Sequence, residues 1–408
     1  MNVRALTGFL DPGWPIDPRR VASLAQSLQA ARNILQDSGY VVQTLRLATP
    51  PPSEMERPVP AADRPELARQ LEAQCFVNGL DYAAIGPAIP DELPAYAVIP
   101  DMLAATENVF TSAMIASPDA GLSLPAAQAC ADIIQRASVL TADGFANLRF
   151  AALACVPPGT PFFPAAYSDG GTPAIAVATE AAELAVDALR EVTSPAKARR
   201  RLVSMIEAHG AAFARLLLPA LAQADVRFLG IDFSLAPYPE PLRSIGTAIE
   251  AFGAPAVGAF GSAAATAFLA DCLDRAEFRR TGFCGLFLPV LEDSILAARA
   301  ANGDLTVTDL LLYSTLCGTG LDVLPLPGAA SIGSLTALLI DLGAVSLRHA
   351  KPLTARLMPL PGKSAGDEVQ FDFAYFASSR VLALPDQPLG GILAGAGTLD
   401  IRPRAQRV

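Results

Sequence analysis

Residues 3–10, VRALTGFL, run into the turn Asp11-Pro12-Gly13, then into a helical periodicity from Pro18 to Asp37, then into a second apolar run, Val41–Ala48. Short apolar runs bounded by turn residues read as buried strands, and apolar residues recurring every three to four positions read as a helix. The opening stretch is therefore a strand–helix–strand unit, and the same rhythm continues outward from it. Strands are predicted at Tyr82–Ile85, Val109–Ile115 and Leu148–Cys155, with helices near Pro65–Asn78 and Leu124–Ser138. In the second half strands are predicted at Ala174–Ala178, Val226–Ile231, Gly285–Val290 and Leu321–Leu324. Helices near Ala181–Val192, Pro195–Ala222, Leu242–Phe252, Ser262–Leu273, Asp293–Ala301, Val307–Leu316 and Ser331–Ala344 alternate with them. Leu353–Pro359 and Val369–Phe373 read as extended segments. Such alternation implies a parallel sheet buried on both faces. The count approaches ten strands, which favours a large closed or nearly closed barrel over a small doubly wound sheet. No linker cuts the chain, so residues 1–408 are expected to form a single α/β barrel domain, with an extended segment at 350–408.

The bulk properties narrow the function. The 408 residues are 52% hydrophobic and only 17% charged, with a formal net charge of -10. A chain this long and apolar can bury a large core. The one basic cluster, Arg199, Arg200 and Arg201, reads as a solvated helix face, and an acidic chain without a basic patch is a poor partner for nucleic acid. Three uncharged runs, Phe150–Ser168, Ala251–Ala270 and Val323–Ile340, reach spanning length. Each is interrupted by proline or glycine and is dominated by small residues, so buried loops and core helices are expected, and no membrane partner. The start MNVRALTGFL is too short in apolar run for a secretory signal. Six scattered cysteines form no CxxC pair and read as reduced thiols of a cytoplasmic protein. Two histidines are too few for a histidine-rich metal site.

In parallel α/β folds, sites gather in loops at the carboxyl ends of strands. Four segments meet that rule. The first, Gly230–Pro237, offers Asp232 and Ser234. Asp232 either contacts a ligand or caps the next turn. The second, Leu288–Ser294, offers Glu292, whereas Asp293 reads as a helix start favoured by the dipole. The third, Cys317-Gly318-Thr319-Gly320-Leu321-Asp322, offers a nucleophile in Cys317 if its thiolate is stabilised. Its glycines free backbone N–H groups for a ligand, and Asp322 is a general acid if burial raises its pKa. The fourth is Thr44–Pro50. A lone arginine in an apolar strand, Arg46, either pairs with one of these carboxylates or binds an anionic substrate.

Familiar cofactor motifs fail. Gly362-Lys363-Ser364 lacks the upstream glycine of a P-loop, Leu357 standing there. Gly318-x-Gly320 lacks the third glycine of a dinucleotide fingerprint, and no GxSxG elbow or HExxH is present. No nucleotide cofactor is expected. Asp232, Glu292 and Asp322 would be oxygen ligands for magnesium or calcium on a metal-dependent reading.

The ordered blocks VRALTGFL, VVQTLRLATPP, ENVFTSAMIAS, GIDFSLAP, FGAPAVGAFGSAAATAFL, GLFLPVLEDSILAARAANGDL, LCGTGLDVLPLPG and KPLTARLMPLPGK resemble a bacterial and archaeal family called domain of unknown function 711 (uncharacterised protein family 0210), also labelled PFL-like. The resemblance covers nearly the whole chain. It implies the ten-stranded α/β barrel of pyruvate formate-lyase and ribonucleotide reductase, but no settled biochemical function. The Arg-Val-x-Gly-Tyr-like segment of glycyl-radical enzymes is missing from Leu389–Gly397, so the resemblance implies no radical chemistry here. The family pattern carries a histidine where Phe260 stands and near Tyr167 and Ser168, so an acid–base role at those positions does not transfer.

The leading expectation is a non-radical enzyme acting on a small anionic metabolite. Arg46 would bind the anion, and Asp232 and Asp322 would position or protonate the substrate. Glu292, Ser234, Gly318 and Gly320 would support, with Cys317 as the nucleophile. This reading requires Arg46, Asp232 and Asp322 to line one cavity. The alternatives are a ligand-binding or regulatory protein on an enzyme scaffold, and the metal-dependent enzyme. An apolar-rich chain is also a candidate homo-oligomer.

Overall fold

The computed structural model of the chain describes residues 1–316, 318–387 and 389–404. Strand β1 (Asn2–Phe9) leads to helix α1 (Pro18–Asp37) and strand β2 (Val42–Ala48). Asp17 caps α1, its side chain accepting from the Arg19 N–H, with Pro18 in the first turn. The stripe Val21, Leu24, Leu28, Ala31 and Leu35 is buried against the sheet. Gly8 allows that close approach: a Cβ there would stand 2.8 Å from Leu24 Cδ2.

The first half continues through α2 (Arg64–Val77), β3 (Tyr82–Ala84), two short helices α3 (Pro94–Ala97) and α4 (Ile99–Ala104), and β4 (Val109–Ser117). Then come the short β5 (Gly121–Ser123), α5 (Leu124–Ser138) and β6 (Phe150–Ala154). The second half runs β7 (Ala174–Glu180), α6 (Ala182–Leu189), α7 (Pro195–Gln223), β8 (Arg227–Asp232), α8 (Ile245–Phe252), α9 (Ser262–Arg275), α10 (Ser294–Asn302), α11 (Val307–Leu316), β9 (Gly320–Pro327), α12 (Ile332–His349) and β10 (Leu353–Leu360). A small hairpin, β11 (Glu368–Val369) with β12 (Ser379–Arg380), follows, and β13 (Thr398–Leu399) pairs with β5.

The main path of the sheet is β8-β7-β1-β2-β3-β4-β6-β10-β9. Strands β1, β2, β3, β4 and β6 pair in parallel, each with the next. The pairs β7–β8 and β9–β10 are also parallel. The two sets meet at two antiparallel seams, β1 with β7 and β6 with β10. The sheet is thus mostly parallel, as the sequence predicts, but the chain reverses direction between its halves.

Gly285–Val290, predicted as a strand, is not one. It runs between the two sheet edges, touching the β8 side through the Leu235–Leu286 bridge and the β9 side through Pro289–Asp322. Pro289 has no N–H to give a ladder, and Cys284 sits at φ 46, so regular pairing is broken. The predicted extended run Val369–Phe373 keeps only its first residue in a strand.

Helices cover one face of the sheet, and Leu45 and Leu47 of β2 face them. The other face is filled by the connector of residues 155–173 between β6 and β7. Its Phe163 and Ala166 pack on Phe9, Ala48 and Phe110, and its Phe162 packs with Ala5, Ala178 and Phe287. By length and composition α7 could cross a membrane. Its buried positions Leu202, Ile206, Phe213, Leu217 and Leu221 form one stripe, however, and that face packs onto its neighbours here.

Candidate functional site

A cavity of about 410 Å³ opens on the inner face, at the amino ends of β1, β2, β3, β4 and β6 and not at the carboxyl ends that the sequence rule favours, beside the carboxyl end of β7. That volume suits a small-molecule site. Each wall has a separate origin. Arg4 comes from β1, Arg46 from β2, Tyr82 from the start of β3 and Arg356 from β10. A register shift between Val3 and Ala5 marks a bulge at Arg4, a device that re-aims a side chain.

Charge dominates one side. Arg4 pairs with Glu180 at 3.3 Å and with Glu292 at 2.8 Å. Arg356 holds the other Glu292 oxygen at 2.9 Å and Asp322 at 2.6 Å. Arg243 contacts Glu180 from the far end. The result is an alternating chain, Arg243–Glu180–Arg4–Glu292–Arg356–Asp322. Buried ions persist only when paired and hydrogen-bonded, and here every member is. Burial pushes the Asp322 carboxyl up, and the Arg356 guanidinium pulls it back.

Arg46 is different. Its Nε donates to Thr44 Oγ1 at 2.8 Å, but among the described residues no carboxylate pairs with it. Its guanidinium lies over the Tyr82 ring at 5.6 Å and the Phe163 ring at 5.1 Å, a favourable cation–π placement. Burial, with Arg4 nearby as the second cause, pushes it down to about 10, so it stays charged at neutral pH. The surface that it keeps faces the cavity.

The opposite side is aromatic. Phe110 stands edge-on to both Tyr82 and Phe163, at 5.4 and 5.3 Å. Phe287 packs at a tilt on Phe162, with ring centroids 4.4 Å apart. Phe373 and Tyr375, from the tip of the β11–β12 hairpin, close the mouth. Phe373 packs on Phe145 at 5.2 Å, and Tyr375 lies under Arg4 at 5.1 Å.

Of the residues singled out in the sequence, Arg46 and Glu292 line this cavity together, whereas Asp232 and Asp322 do not, so the expected convergence of Arg46, Asp232 and Asp322 on one cavity is not met and only the Arg46 part of that reading is kept. Asp322 reaches it only through Arg356. Asp232 is not among its lining residues: its carboxylate accepts from the Phe283 N–H at 2.7 Å, the Cys284 N–H at 2.8 Å and Ser234 Oγ at 2.6 Å. Ser234 in turn accepts from the Gly285 N–H at 3.1 Å. Both residues fasten the loop 281–285, because a strand end packed against a turn of free N–H groups is the natural place for an acceptor. Gly282 makes room: it has φ +69, and a Cβ there would lie 2.1 Å from Asp232 Oδ2. Gly320 likewise serves packing, since a Cβ would stand 2.1 Å from the Thr354 carbonyl oxygen. Gly318 takes φ +137 with the Leu286 carbonyl 3.2 Å from where its Cβ would be. Cys317 lies outside the described residues.

Asp293 caps α10, accepting from Ile295 and Leu296 N–H, and also accepts from Ser244 and Ile245 at the start of α8. Phe260 is fully exposed, and the Tyr167 hydroxyl donates to the Val156 carbonyl. Among the described residues no group of three His, Cys, Asp or Glu is placed to hold a metal ion. Asp232, Glu292 and Asp322 do not form one, because Asp232 is bound to its loop and Arg356 lies between the other two.

Sequence reasoning missed Arg4 and Arg356, although both carry the signal that picked out Arg46, a lone arginine inside an apolar strand. A larger hollow of about 580 Å³ lies at the other end of the strands, beside α1. Its Arg20 is paired with Glu56 at 2.9 Å, and its Arg19 is exposed to solvent.

A family model described as Uncharacterised ACR (DUF711) matches residues 14–377, which take in every cavity wall except Arg4. A UPF0210 protein of Pyrobaculum islandicum is 30% identical over 90% of this chain and 87% of its own length. A UPF0210 protein of Methanosarcina acetivorans is 28% identical over 86% of this chain and 80% of its own. A third, from Syntrophobacter fumaroxidans, is 29% identical over 75% and 71%.

Proposed function

We propose a function for this chain, which belongs to the DUF711 family of uncharacterised proteins: it is a non-radical enzyme that binds a small organic anion through Arg46. The observation that carries this reading is a half-buried guanidinium on the cavity wall with which, among the described residues, no carboxylate is paired. An unpaired charge partly withdrawn from water is costly, and a protein keeps one where a ligand completes it. Glu292 and Tyr375 are the wall groups placed to exchange a proton with a bound substrate. Asp322 positions Arg356, and Asp232 with Ser234 positions the loop that leads to Phe287.

Residues 280–289 bridge both sheet edges, which supports a closed barrel of two five-stranded halves, the fifth member of the second half being that irregular segment. This is the arrangement that a likeness to pyruvate formate-lyase would require. Residues 390–397 lie exposed at the surface, away from the cavity, which supports chemistry without a glycyl radical. The described cysteines are all free thiols, in keeping with a cytoplasmic protein. Exposed Phe76, Val77 and Phe260 support self-association.

The second reading is a binding protein without turnover. The observation favouring it is that both Glu292 oxygens are already held by arginines. A thermal-shift screen of organic anions, followed by turnover assays on the hits, separates the two. In the same screen Arg46→Met is expected to abolish every anion-induced shift while raising the ligand-free midpoint, because it removes an unpaired charge. An Arg46→Met protein that still responds to the same anions would rule out this site.

A further inference from the structure

We propose that the ligand of this cavity is a planar-bodied monoanion, an aromatic or conjugated monocarboxylate; this rests on the anion-binding reading above and specifies its chemistry. Three observations converge on it.

The first is charge balance. In the chain Arg243–Glu180–Arg4–Glu292–Arg356–Asp322, cations and carboxylates alternate and match one for one. Arg46 stands beside this balanced set as one further cation. Arg149, on the same wall, turns its terminal nitrogens to the carbonyls of Leu103, Thr106 and Val109. Glu107, on the same rim, offsets the charge of Arg149, so one negative charge neutralises the site. A second would enter a low-dielectric pocket whose other cations are already engaged, and the desolvation of a buried ion is not recovered without a partner.

The second is the shape of the free edge. Thr44 occupies Arg46 Nε. The two terminal nitrogens are left side by side, the spacing at which a guanidinium takes both oxygens of a carboxylate.

The third is the wall. Phe163 and Tyr82 flank the guanidinium, Phe110 joins them edge-on, and Phe287 with Phe373 face the same space. Aromatic walls favour a ring in offset or edge contact over a flexible chain of equal area.

The test uses the full-length protein and calorimetric titration with matched probes: 3-phenylpropanoate, its neutral amide, 3-cyclohexylpropanoate and phenyl phosphate. The carboxylate should bind at least about tenfold tighter than the amide and than the phosphate dianion. It should bind about threefold or more tighter than the cyclohexyl analogue. Arg46→Met should reduce carboxylate affinity to that of the amide, and Arg46→Lys, which keeps the charge but loses the fork, should fall between. Tighter binding of phenyl phosphate would overturn the monoanion and leave anion binding at Arg46 standing. Equal binding of the cyclohexyl analogue would overturn the aromatic body. Affinities insensitive to both Arg46 variants would overturn this proposal and the anion-binding reading together.

Discussion

Asp232 is a buried carboxylate held by hydrogen bonds and not by an ion pair, and its titration follows from that. Burial pushes its pKa up from 3.8 to about 6, against three hydrogen bonds that pull it down. Because the folded protein holds this proton more tightly than the unfolded chain, its contribution to stability is full below pH 3.8. It is lost as pH rises to about 6 and is constant above. Asp232→Asn cannot titrate. It also turns an amide N–H toward the Phe283 N–H, so at pH 7 it should be less stable by about 1–3 kcal/mol. Urea unfolding of both proteins between pH 4 and 7 should show wild-type stability falling relative to the variant up to pH 6. Parallel curves across that window would contradict the assignment. The charged residues were partly legible in the sequence. An arginine inside an apolar strand announces itself as paired or ligand-bound, and Arg46 could be read so. Which arginines take the carboxylates could not be read, because Arg4, Arg46 and Arg356 lie far apart in the chain and meet only through the sheet order. Asp232 was misleading for a local reason: a carboxylate at a strand end satisfies a turn as readily as it meets a substrate.

Among the elements, the hairpin tip that carries Phe371, Phe373, Tyr375 and Phe376 is the least anchored wall of the cavity. Its backbone is tied to the body by the Ala377 N–H to the Leu291 carbonyl at 2.7 Å, and otherwise its rings hold it. Three of those rings meet Phe145 within 6.0 Å. Segments with few backbone bonds to the body open locally at low cost. Phe145→Ala should therefore raise the rate of chymotrypsin cleavage within residues 371–376 about tenfold or more, at a cost below about 2 kcal/mol in global stability. Unchanged cleavage would show that the rings at Phe145 do not hold the tip. Helices and regular strands were the most legible elements, since α1 and α5 carry a capping residue, an early proline and an apolar stripe. The hairpin and the segment 280–289 were not, because their contacts are aromatic or single bridges that leave no period in the sequence.

For the whole molecule, the two antiparallel seams and the bridging segment join the halves along every edge. Chains of this size commonly unfold through intermediates, yet these joins predict one transition. The single tryptophan, Trp14, lies in the turn between β1 and α1 of the first half and packs on the core that the halves share, whereas far-ultraviolet circular dichroism sees both. The two signals should change together in denaturant, with midpoints that coincide. An earlier tryptophan transition would mean that the halves melt apart. The strand count could be read from the sequence, but the reversal between halves could not, since apolar runs carry no direction. The connector of residues 155–173 gives this architecture a consequence for protein engineering. Segments that join similar halves are usually exposed and are the natural places to cut a gene, to circularly permute it or to express each half alone. Here the middle of the join, residues 159–166, is buried as a plug between the halves, with Phe162, Phe163 and Ala166 in the interior. New termini placed within 159–166 would bring two charged ends into the core, so a viable rearranged gene must open outside that stretch, for example at the exposed residues 169–172, and neither half can keep the plug without leaving the other hollow.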